Sequence, residues 1–120
     1  MNRKDVNETF QVRSALETYC TVQISKDSST RKAKKLFKEL DWIMECMNDI
    51  METTHSIKEF SEYDFQFHTK IIDYLENEQF SNVFAMFMYR MKRLAELSLA
   101  HKGRMEQTYE EHMAILDCMK

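Results

Sequence analysis

A chain with no proline and a single glycine, at position 103 of 120 residues, has almost nothing from which to build tight hairpins or long irregular loops. What remains is helix. Hydrophobic residues make up 43% of the sequence, enough for one domain with a core of reasonable size. The expected fold is all-α, an antiparallel bundle of about five to six helices in a single domain over residues 1–120.

Helical periodicity divides the chain into five segments. Val6, Phe10, Val12, Leu16, Cys20 and Ile24 make a stripe in the first, with Arg13 inside it. The turn formers of KDSST then break the pattern, and a second helix is expected from Thr30 to Thr53, with Trp42 facing away from its apolar stripe. Ser61 and Asp64 have capping-box spacing, and Phe60 and Phe65 could staple the same turn, so the third helix is expected to begin at Ser61 and stop at Asn77. A fourth, from Glu78 to Lys102, carries so broad a stripe through Phe80, Phe84, Phe87, Met88, Met91 and Leu99 that a largely buried central helix is expected. Gly103 ends it. Thr108 and Glu111 form the next capping box, which would place His112 in the first turn of the last helix.

Three polar residues fall in the middle of apolar arcs. Asp64 and His68 stand one turn apart among Phe67, Ile71, Ile72 and Leu75, and His112 stands among Ile115, Leu116 and Met119. A carboxylate and two imidazoles turned toward a core need partners, because burying them unpaired is costly. Two readings compete: a metal or ligand site, or a capping carboxylate bonded to a helical imidazole beside an ordinary core histidine. His55 and His101 look like helix-terminal histidines. Arg13, flanked by Phe10, Leu16 and Cys20, either snorkels, pairs with Asp64 or Glu17, or clamps a carboxylate ligand. Arg90, at the margin of its stripe, is a second candidate of that kind, and snorkelling explains it more simply.

Several function classes are set aside. A formal net charge of −3 makes the chain no magnet for nucleic acid or acidic lipid. Phosphate loops and nucleophile elbows cannot be made with one glycine, and the paired Glu-x-x-His motifs of di-iron bundles are missing, so an enzyme is not expected. Cys20, Cys46 and Cys118 are odd in number and widely spaced, which favours reduced thiols over a disulfide framework. With neither a membrane-length apolar run nor a signal peptide, a soluble, cytoplasmic protein is expected.

VRSALE near the start, Asp64-x-x-Phe67-His68, the following Asn77 with Phe80, and EEHMAIL near the end together resemble the FCD domain, the C-terminal effector-binding domain of FadR-type GntR transcription regulators. The resemblance covers nearly the whole chain. It implies a cavity for a small organic acid, often beside a divalent metal such as zinc, nickel or manganese, held by Asp64, His68, His112 and one further His, with Arg13, Asn77 and Arg90 as candidate ligand contacts. Relative to such a regulator, the chain is expected to be short at both ends. It lacks the N-terminal winged helix-turn-helix, so no direct DNA binding is expected, and it stops at Lys120 before the helix that carries the further His. A homodimer with partial metal occupancy is the expected consequence. The alternative is a helical dimerisation or interaction domain that binds no ligand.

Overall fold

The computed structural model describes residues 2–120, and five helices account for most of them. They are α1 (Arg3–Lys26), α2 (Arg31–Glu52), α3 (Ile57–Asp73), α4 (Glu78–Leu99) and α5 (Arg104–Met119). Capping chemistry sets the starts. Asn2, Thr30, Ser56 and Asn77 each accept a hydrogen bond from the backbone N–H three residues on, satisfying a donor that the helix itself cannot. Gly103 precedes α5 in the left-handed region, at φ 79°, a conformation that favours a residue without Cβ.

Two expected starts are wrong for the same physical reason. The cap of α3 is Ser56, five residues before Ser61, at a second motif of the same spacing: Ser56 Oγ accepts from the Glu59 N–H, and Thr54 Oγ1 donates to the Glu59 carboxylate. Phe60 is completely buried, and the helix must already have formed to turn it inward. Ser61 and Asp64 are thereby interior residues, not a cap. Likewise α5 begins directly after Gly103, because buried Met105 ties its first turn to the core. Thr108 is buried inside that helix, and His112 lies well past its first turn. Asn77 starts α4; α3 already stops at Asp73, and the link turns at Glu76, whose φ of 54° no helix continues through.

The molecule measures 38 × 34 × 18 Å, and the short dimension corresponds to two layers of helices about 10 Å thick each. α3 packs against α1, α2 and α4, while α5 closes on α1 and α2. The core centres on α2 and α3, with Leu40, Ile43, Met47, Phe60, Phe67, Ile71 and Ile72 fully enclosed. α4 departs from expectation. Only Phe84, Met91 and Leu99 are buried on it, and Met86 and Tyr89 are 76% and 78% exposed, because no other described helix covers its outer face. Phe10 is also exposed, with the Arg13 guanidinium 5.2 Å from its ring centre. Trp42 is exposed as expected and meets Tyr63 edge-on. The three cysteines are free, and among the described residues no helix is long and apolar enough to cross a membrane.

Candidate metal centre

Because α3 starts at Ile57, Asp64 lies in mid-helix with its side chain free of any capping duty, and its partners are both imidazoles. Its Oδ1 accepts from His112 Nε2 at 2.5 Å and from His68 Nε2 at 3.1 Å. The first bond joins α5 to α3, and the second closes one helical turn. All three residues are buried, at 6% exposure for Asp64 and His68 and 4% for His112. Phe67 forms the apolar wall, stacked on the His112 ring at 4.4 Å between centroids. The third helix at the site is α1. Its Glu17 brings Oε1 within 2.5 Å of His68 Nδ1, without the alignment of a hydrogen bond, and the same oxygen lies 3.8 Å from Arg13 Nε.

Electrostatics sort these groups into opposite states. Burial works to raise both carboxyls, but the charge of His68, with the hydrogen bonds of the imidazoles, outweighs it and holds Asp64 and Glu17 below their usual range. Burial also disfavours charge on His68, yet the two carboxylates on either side push it up to about 9. His112 goes the other way: burial and the neighbouring His68 charge lower it, despite its bond to Asp64. The metal-free cluster at neutral pH is therefore two carboxylates, one imidazolium and one neutral imidazole. Protons occupy the positions a cation could take.

The residues present fit a divalent ion. One ligand atom from each of Asp64, His68 and His112 lies within 4.8 Å of the others, and the donor set of two imidazoles and a carboxylate is one that zinc and related metals accept. Both Nε2 atoms are the ones turned toward Asp64, while His112 Nδ1 is buried without a hydrogen-bond partner and His68 Nδ1 faces Glu17. The small, partly open cavity beside them, bounded also by Arg13, Ser98, Thr108 and Glu111, holds about 60 Å³, which suits an ion with water. It is far below the roughly 300 Å³ at which organic ligands are usually housed. Space of that order opens on the other side of Arg13 and Glu17, in a groove of about 600 Å³ between α1 and α5.

The remaining candidates scatter. Asn77 is occupied as the cap of α4, its oxygen accepting from the Phe80 N–H, and it lines neither the cavity nor the groove. Arg90 is exposed on α4 and also lines neither. His55 faces Glu106 at 3.1 Å on the surface, and His101 is exposed in the turn after α4. Arg13 does line both spaces, and its ion pair is with Glu17. Glu17 is the member that sequence reading missed as part of the site. Its only signal was a position four residues after Arg13, which spoke for a pair on one helix and not for an imidazole on another.

No match was found among curated proteins or solved structures. The family model of the FCD domain, by contrast, matches residues 8–120, which takes in all of α2 to α5 and most of α1. Domains of this family are regulatory, binding small-molecule effectors in GntR-type transcription regulators, often with a metal, and are not known as enzymes. A matched stretch that long, on an all-helical bundle with a buried Asp, His and His cluster, shows that the chain belongs to the FCD domain family.

Proposed function

We propose that this domain senses a small organic acid, with a divalent metal held by Asp64, His68 and His112. The observation that carries the reading is the convergence of two imidazoles and one carboxylate from two helices on a single buried point. A metal there supplies a Lewis-acidic contact for an acid's oxygen atoms. Arg13 offers the complementary guanidinium, and the groove between α1 and α5 provides the volume that the small cavity lacks. The polar cluster ties α1 and α5 to α3, so a ligand that prefers one arrangement of these helices shifts the population toward it. In a full regulator that shift would alter the spacing of attached DNA-binding domains. This chain, at net charge −3, is expected to give no sequence-specific gel shift of its own.

Metal analysis of protein prepared without chelator, followed by calorimetry with hydroxy acids and dicarboxylates in the presence and absence of zinc, nickel or manganese, tests the reading. Metal uptake that depends on His112, and acid binding that weakens in Arg13→Met, are expected. Protein that takes up none of these metals and binds none of the acids would leave the second reading, a dimerisation domain. The exposed apolar face of α4 at Met86, Tyr89 and Leu97 supports association in either case, and we expect a homodimer by sedimentation.

A further inference from the structure

Glu17 stands on the far side of the His68 ring from Asp64. The two nitrogens of an imidazole diverge, so with Nε2 turned to Asp64 at 3.1 Å and Nδ1 turned to Glu17 at 2.5 Å, the ring is held between two carboxylates on two helices. An ion beside Asp64 can reach only Nε2. Glu17 is thus placed where it cannot share that ion yet can govern the nitrogen opposite. We propose that Glu17 is the positioning residue of the metal centre, accepting the Nδ1 proton of His68 and so committing Nε2 to the metal. The inference rests on the metal reading given above.

Three features beyond proximity support it. Glu17 Oε1 and His68 Nδ1 are both buried without a hydrogen-bond partner, and each is the other's nearest remedy. Arg13 Nε, 3.8 Å from Oε1 and one turn away on α1, pairs by charge with the same carboxylate, so His68 is not the one cation beside it. Outer partners of this kind fix the tautomer and orientation of a ligating imidazole and raise its basicity. The contact is also the polar link from α1 to the site, so metal loading would be felt on the helix that forms one wall of the groove.

The test compares zinc binding by the wild type, Glu17→Gln and Glu17→Met, with long-range proton–nitrogen NMR of the histidine rings. In the zinc-loaded wild type, His68 should carry its proton on Nδ1 and coordinate through Nε2. Glu17→Met, similar in volume but with no acceptor, should bind zinc 10- to 100-fold more weakly, the usual cost of losing an outer-sphere partner. Glu17→Gln, whose amide oxygen still accepts, should recover most of that loss. Coordination through Nδ1 in the wild type, or equal zinc affinity in a folded Glu17→Met, would overturn the proposal. A merely structural Glu17 would lower the thermal midpoint of the variants while leaving zinc affinity and nitrogen assignment unmoved. If Glu17→Met does not fold, Glu17→Asp withdraws the carboxylate by one methylene, and unchanged zinc affinity there would overturn the proposal as well. A wild type that takes up neither zinc, nickel nor manganese removes the metal reading itself, whereas uptake that is indifferent to Glu17 removes this inference alone.

Discussion

Asp64 receives two buried N–H groups on one oxygen, and each of the three residues depends on the others for the cost of its burial. Removing the carboxylate leaves the Nε2 atoms of both buried imidazoles without their acceptor. Asp64→Ala is expected to destabilise the metal-free protein by about 3 kcal/mol in denaturant unfolding, the lower end for breaking a buried pair; a loss under about 1 kcal/mol would mean that the imidazoles find other partners. The same cluster shapes the response to pH. His68, raised from 6.5 to about 9, contributes stability that is complete below pH 6.5 and is lost as pH climbs toward 9. His112 is lowered, so the unfolded chain takes up a proton that the folded chain refuses, and stability falls as pH drops below 6.5. The thermal midpoint of metal-free protein should therefore peak near pH 6.5 and decline on both sides, and His68→Gln should flatten the alkaline limb. A midpoint that rises steadily from neutral pH to about pH 9 would contradict this.

Elements here are delimited by caps and by what their first turns bury. α3 offers the sharpest case, because Ser56 with Glu59 and Ser61 with Asp64 both have the spacing of a helix start. Only the first is used, and its Oγ accepts from the Glu59 N–H at 3.2 Å. Ser56→Ala should cost about 1 kcal/mol, the usual loss for such a cap. Ser61 is buried with an unpartnered Oγ, so Ser61→Ala removes an unsatisfied group and should change stability by no more than about 0.5 kcal/mol, or raise it. Urea titration of the two variants distinguishes the starts: the reverse order of effects would restore the later one. The extra turn matters to function, since it moves Asp64 from a helix terminus into the interior, where a carboxylate has no backbone donors and turns to the imidazoles.

At the scale of the whole molecule, the site and the core are one object. Phe67 is completely buried between α3 and its neighbours and also stacks on His112, so the packing that stabilises the bundle sets the angle of a candidate ligand. Phe67→Ala should cost about 3–5 kcal/mol, as large aromatic truncations do. In whatever fraction stays folded, metal affinity should fall too. Calorimetry with zinc at low temperature, beside an unfolding curve, measures both, and an intact zinc affinity would show that the ring serves packing alone.

Local chemistry determined the helical class, the number of helices and most of the residues that bury. With one glycine and no proline the backbone has few alternatives to helix, and the stripes of α2 and α3 are strong enough to be legible one residue at a time. The inward direction of Asp64, His68 and His112 was legible for the same reason, because a helical wheel assigns each side chain an azimuth. An azimuth names no partner. That His112 meets Asp64, that Glu17 lies at the opposite edge of His68, that Asn77 and Arg90 stay away from the cluster, and that the face of α4 stays uncovered depend on how α1, α4 and α5 dock on α2 and α3. These contacts join residues far apart in the chain, and their energies decide between local alternatives, such as the two starts of α3, that spacing leaves equal.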